Sequence, residues 1–445
     1  IMGADCPMNI TANRRNILSN LGWSVLGKVV SLSGSLLVGL LIARYLGPER
    51  WGLMNYIISE VFLFQVFAIF GLDSIEIREQ ARCPNEVHSI MGTAFVIRLV
   101  LAFFALVALI VTAWTSESDS YTALMLSIYA FTMLFSTLNV IRNHFIAKVQ
   151  NKYVVKSEIS RTLVGMVLKL VLFFFGIGLT GFILATAFDS ILLASGYVVS
   201  YRRKVGGFRQ WSFDANWCRL LLRESFPLML TSAAVMVYQR IDQVMIGRMI
   251  DKQAVGYFST ASRFVEVLVY VPIMLSQTIS PVLTRIRTHS EEAYRERAQF
   301  FMNISVWGSL VLSGVMSALS YWIISILLGS QYIPAVAVLQ IMSFKAASVA
   351  LSSAAGTMIV VEGLQRWALV RDLFGCMVCV LLNYILLPRY GIVAAAFVAI
   401  ASNVAAGWLA DMFVPSYQHI FRMQTRALLF GWSSLFNLRE LRGIK

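Results

Sequence analysis

Two linked segments decide the reading of the fold: Tyr238-Gln-Arg-Ile-Asp-Gln-Val-Met-Ile-Gly-Arg248, then Ala254-Val-Gly-Tyr-Phe-Ser-Thr-Ala-Ser-Arg-Phe-Val-Glu266. They set Arg240, Asp242, Arg263 and Glu266 among runs apolar enough to span a bilayer. An ionisable side chain at the bilayer centre costs about 2.5–3.5 kcal/mol on insertion scales, so charges kept there face protein or water and are functional candidates. The stretch also repeats part of the N-terminal half. Leu-Leu-Ile-Ala-Arg44 matches Val-Met-Ile-Gly-Arg248, and Trp51-Gly-Leu matches Val255-Gly-Tyr. Arg44 to Arg248 and Gly52 to Gly256 are both separations of 204 positions. Adding the same offset to Glu158 gives Glu362. A half-length repeat in one orientation is the parallel kind, whose halves are related by an axis along the membrane normal.

Composition sets the class. Of 445 residues, 58% are hydrophobic and 13% charged, where soluble domains carry about 25% charged residues. Mean hydropathy is +0.72. The apolar runs are long enough for membrane helices rather than barrel strands. The net charge of +14 belongs in cytoplasmic loops of such a protein, so nucleic acid is not expected as a partner. Cys376-Met-Val-Cys379 has the spacing of a metal half-site, but it lies in an apolar run with no second pair. The four histidines form no HExxH pattern, and there is no phosphate loop or nucleophile elbow. No catalytic residue, metal or cofactor is expected. H+ or Na+ coupling stays open.

The pattern predicts an all-α integral membrane protein of about twelve spans in two six-helix lobes. The spans fall near 20–45, 52–72, 91–114, 122–142, 158–177, 180–200, 225–247, 254–280, 300–328, 333–360, 366–388 and 391–414. No cleavable signal is expected, because the first apolar run is long and continuous. The N-terminal lobe covers 1–200, a cytoplasmic linker 201–222, the C-terminal lobe 223–414 and an amphipathic cytoplasmic tail 415–445. Lys and Arg concentrate at the N-terminus, in alternate loops and in the tail, while 115–121 and 329–332 carry none; Arg50, Lys252 and Arg389 are the exceptions. Both termini are therefore expected in the cytoplasm. Pro48 reads as a turn and Pro388 as a span end; Pro272, inside the eighth span, predicts a kink.

Polar residues fall on single helix faces. Ser24, Lys28, Ser31 and Ser35 share one face; so do Arg161, Gly165 and Lys169, and also Lys345, Ser348 and Ser352. Arg98 lies near the cytoplasmic end of its span, where its head group can snorkel. The candidate substrate ligands are thus Lys28, Arg98, Lys169, Arg240, Arg263 and Lys345. Glu60, Asp189, Asp242 and Glu266 are candidate ion-coupling groups or charge partners. Arg240 can pair with Asp242 or Glu266, and Arg263 with Glu266; Lys28, Lys169 and Lys345 have no acid close in sequence. Cations outnumber acids, which suits an anionic cargo such as a diphosphate.

Ala43-Arg-Tyr-Leu-Gly-Pro-Glu-Arg-Trp-Gly-Leu53 and Gln239-Arg-Ile-Asp-Gln-Val-Met-Ile-Gly-Arg248 with Ala254-Val-Gly-Tyr-Phe258 resemble the polysaccharide-export branch of the multidrug/oligosaccharidyl-lipid/polysaccharide (MOP) superfamily. The similarity is closest to the Wzx-type O-antigen and capsule flippases. It implies alternating-access translocation of an undecaprenyl-diphosphate-linked glycan across the bacterial inner membrane, with other polysaccharide-assembly proteins as partners. It also implies that the Arg44–Gly52 and Arg248–Gly256 turns are structural. The rival readings are a MATE-like drug exporter, a lipid II flippase, and a membrane enzyme such as a polymerase or ligase. The last needs a sizeable outer loop for its catalytic groups, and the outer loops here are short.

Overall fold

The computed structural model describes residues 14–435, with side chains for residues 36–434. The helices are α1 (Arg14–Ile69), α2 (Leu72–Arg82), α3 (Val87–Ser116), α4 (Ser120–Ala130), α5 (Thr132–Ser136), α6 (Asn139–Ala147), α7 (Asn151–Phe174) and α8 (Leu179–Lys204). Then come α9 (Ala215–Met249), α10 (Lys252–Arg287), α11 (Glu291–Leu327), α12 (Ala335–Met342), α13 (Lys345–Glu362), α14 (Ala368–Val404), α15 (Ala410–Phe413) and α16 (Gln418–Phe430). Among the described residues there is no strand.

Nine runs among the described residues are long and apolar enough to cross a membrane. Two of the helices in these runs pass through a glycine of non-helical backbone, Gly47 (φ 75°, ψ 169°) and Gly391 (φ 62°, ψ −150°). Both breaks have positive φ, which glycine adopts without a Cβ penalty. Pro48, lacking an amide donor, opens the segment after Gly47 at no hydrogen-bond cost. α7 is not among the nine. α7 is less apolar because it carries Glu158, Arg161 and Lys169. The chain is a multi-pass membrane protein with the expected all-α architecture. Large apolar side chains such as Phe104, Val167, Phe174 and Ile326 are exposed on these helices, as a lipid-facing surface requires. α10 runs as one helix across Pro272 and Pro281.

Contacts divide the chain into two compact units. One comprises residues 1–46 and 57–236, the other 47–56 and 237–445. In the first, Leu72, Met91, Val140, Phe145 and Tyr201 share an apolar core. The Arg- and Trp-rich linker packs onto it: Tyr201 stacks on Phe208, and the Trp211 indole donates to the Tyr201 hydroxyl at 2.9 Å. In the second, α10, α11, α13 and α16 enclose Tyr294, Met302, Ala354, Met358 and Ile420. α16 is held there by the Trp307 indole donating to the Ala427 carbonyl (2.8 Å) and by His419 against Glu362 (2.6 Å). Residues 436–445 of the expected tail lie outside the described residues.

A π-helical turn at Ala405–Leu409 follows α14. Such a turn displaces carbonyls from the α-helical ladder, and Arg371 takes them up. Its guanidinium donates to the carbonyls of Ala406 (2.8 Å) and Gly407 (3.2 Å) and to the Ser352 hydroxyl (3.0 Å). Its charge is matched by buried Asp411 at 3.5 Å.

Candidate functional site

The second unit holds a cavity of about 400 Å³ with mixed polar and apolar walls. The opening sequence stretch supplies much of it. α9 contributes Gln239, Arg240, Asp242 and Gln243, and α10 contributes Ser262, Glu266 and Tyr270. Helical spacing places each set on one face. α13 adds Lys345, Ser352 and Ser353, and α14 adds Asn403.

Four sequence candidates therefore meet here: Arg240, Asp242, Glu266 and Lys345. They are two bases and two acids, so this cavity is balanced in formal charge rather than dominated by cations. Arg240 lies 3.4 Å from Glu266, with side-chain exposures of 31% and 50%. A wet pair of this kind is weak and easily exchanged for another partner. Asp242 is buried and takes the Asn383 amide at 2.5 Å and the Cys379 thiol at 3.4 Å. Cys379 is thus engaged with a carboxylate. Lys345 differs from the other three. Its ammonium makes no hydrogen bond or ion pair among the described residues, and its charge acts on Asp242 at a distance. A half-buried ammonium without a direct partner has its donors available for a ligand.

The remaining candidates are elsewhere. Arg263 is on α10, but its guanidinium lies over the buried Trp51 ring, 4.6 Å from the centroid. In the first unit, buried Arg98 donates to Glu76 and to Asp73, both at 2.7 Å. Asn143 bridges the same two carboxylates at 2.8 and 2.7 Å, and Arg142 reaches Asp73 at 3.1 Å. Arg98 is therefore the centre of a closed network instead of a snorkelling group. Lys169 pairs with Asp189 across α7 and α8, and a Cβ at Gly165 would overlap the Asp189 carboxylate. Glu60 is buried in the first unit. The Lys28 side chain lies outside the described residues.

Sequence reasoning missed Ser353, Asn383 and Asn403. The two amides were findable, because each interrupts an apolar run: Leu382-Asn383-Tyr384, and Ser402-Asn403 between Ala401 and Val404. Among the described residues, no group of three or more His, Cys, Asp or Glu side chains could hold a metal ion.

The cavity thus sits among the helices of an all-α, multi-pass membrane protein. The fold is shared with membrane proteins of known structure. A lipid II flippase MurJ in an inward closed conformation superposes with a TM-score of 0.70 over 93% of this chain and 92% of that one, at 13% identity. An inward-facing multidrug resistance MATE family transporter gives a TM-score of 0.65 over 88% of this chain and 99% of that one, at 15% identity. At the sequence level, the model of the polysaccharide biosynthesis protein family matches residues 17–287, more than half of the chain. The chain belongs to that family. The succinoglycan biosynthesis transport protein ExoT of Rhizobium meliloti (strain 1021) is 25% identical over 271 residues, which cover 58% of this chain. The match spans about half of that relative, 52% of its length.

Proposed function

We propose that this protein is a flippase that carries a polyprenyl-diphosphate-linked oligosaccharide, of the undecaprenyl type used for O-antigen or capsule repeat units, across the bacterial inner membrane. The observation that carries the proposal is Lys345, whose ammonium lines a polar cavity and makes no hydrogen bond or ion pair among the described residues. Sugar hydroxyls moved through about 30 Å of hydrocarbon would lose their hydrogen bonds with water. The cavity supplies amides, hydroxyls and water in their place. The diphosphate docks on Lys345 and on Arg240, which exchanges Glu266 for the phosphate oxygens. Charge-assisted bonds of this kind are about twice as strong as neutral ones.

In this proposal the lobes drawn at 1–200 and 223–414 move about the 201–222 linker, and both termini face the cytoplasm. An inside-negative potential favours outward movement of an anion by about 2.3 kcal/mol per charge per 100 mV. Asp242 and Glu266 are the acids placed to exchange H+ or Na+ with the cavity. The test is reconstitution in proteoliposomes loaded with a polyprenyl-diphosphate oligosaccharide, scored by access of a membrane-impermeant glycosidase to the sugar. Protein-dependent access supports the reading. A protein that leaves the glycolipid in place but exports cationic dyes is a drug exporter, and the reading fails.

A further inference from the structure

A second site lies at the other end of α10, outside the cavity described above. α10 and α11 leave an apolar groove of about 200 Å³ between Leu275, Ile279, Val282, Phe301 and Ile304. At its end the groove meets a pocket of about 860 Å³, which is lined by Arg295, Arg297, Arg422 and Arg426. Arg297 and Phe300 line both. The arginines come from two elements, the start of α11 and the face of α16, where Arg422 and Arg426 stand one turn apart. One acid, Glu296, lies among them. Arg295 pairs with Glu291 at 3.2 Å, while Arg422 and Arg426 form no ion pair among the described residues.

We propose that this corner binds an anionic phospholipid of the bilayer, with its phosphate between Arg297, Arg422 and Arg426 and one acyl chain along the α10–α11 groove. Charge complementarity selects the head group. A zwitterionic lipid would bring a choline ammonium into the arginine cluster, whereas a phosphatidylglycerol head brings only the phosphate charge. The groove selects a chain, because its walls are apolar up to the arginines. The bound lipid would tie α16 to the ends of α10 and α11 and make the docking of this helix depend on membrane composition.

The test uses the full chain purified in detergent and offered phosphatidylglycerol or phosphatidylcholine of matched acyl chains, with retained lipid read by native mass spectrometry. Phosphatidylglycerol is expected to be retained more strongly by on the order of tenfold. R422Q/R426Q should bring it down to the phosphatidylcholine level with an unchanged thermal transition. Val282→Trp fills the groove from its exposed wall without touching an arginine, and should lower retention as well. Equal retention of the two lipids by the wild-type chain overturns the proposal, whatever the variants do. So does retention that neither variant alters, or displacement of phosphatidylglycerol by an equimolar polyprenyl diphosphate, which would make this a site for cargo. None of these outcomes depends on flipping activity.

Discussion

Gly52 and Gly256 pack reciprocally, each against the backbone four residues before the other. A Cβ on Gly52 would overlap the Lys252 carbonyl, and a Cβ on Gly256 would overlap the Pro48 carbonyl. These are the two glycines that the internal repeat pairs, so the repeat is present here as a symmetric contact. Around it, Arg263 covers Trp51, and the Lys252 ammonium sits 3.2 Å from the centroid of the Tyr56 ring.

Neither glycine can gain a methyl group without moving main chain. Gly52→Ala and Gly256→Ala should each lower stability by about 1–3 kcal/mol, the usual range for overpacking. Gly308→Ala, on α11 with nothing near its Cβ, should be neutral or gain about 0.5–1 kcal/mol. Thermal unfolding in detergent reads all three. Wild-type stability in Gly52→Ala would contradict the packing.

Arg98 is expected to act on stability before transport. Arg98→Ala leaves the Asp73 and Glu76 carboxylates without their guanidinium, a loss of about 3–5 kcal/mol for a buried pair. R98M/E76Q should recover much of it by removing the stranded Glu76 charge, because Asp73 keeps Arg142. Folded yield and thermal unfolding decide. A stable Arg98→Ala protein defective only in export would return Arg98 to the ligands.

Lys169 and Asp189 should behave as a unit. Lys169→Ala strands a carboxylate that Gly165 makes room for, so export falls. Adding Asp189→Asn should restore it, because the pair then leaves no uncompensated charge. Surface polysaccharide in the single and double variants is the readout. No recovery in the double variant would mean that Lys169 meets the cargo itself.

The orientation is tested at Ser118, an exposed residue between α3 and α4. S118C should react with an impermeant maleimide added outside intact cells. Labelling only after the cytoplasm is opened would invert the topology.

The fold was largely legible because bilayer physics leaves strong marks: long apolar runs, charge-poor alternate loops, and a glycine repeat that survives where backbones touch. Half of the cavity was legible too. Arg240, Asp242 and Glu266 stand in one stretch, and Lys345 interrupts an apolar one. Partners were not legible. Asp73 and Glu76 lie beyond the span drawn at 52–72, yet they close over Arg98, and Arg371 faces Asp411 on a separate helix. Such pairs are set by how helices pack, and nothing in local spacing encodes them. Arg263 feels the charge of Glu266 as its spacing predicts, but its place over the ring of Trp51 was not legible.

The central claim is that Lys345 holds the anionic part of a lipid-linked glycan. Export of surface polysaccharide, measured against membrane level of the protein in Lys345→Ala and Lys345→Arg, tests it most directly. A lost hydrogen bond to a charged group costs about 1.5–3 kcal/mol, so export should fall on the order of tenfold or more in Lys345→Ala. Lys345→Arg, which keeps the charge, should retain most of it. Unchanged export in Lys345→Ala at wild-type membrane level would contradict the account.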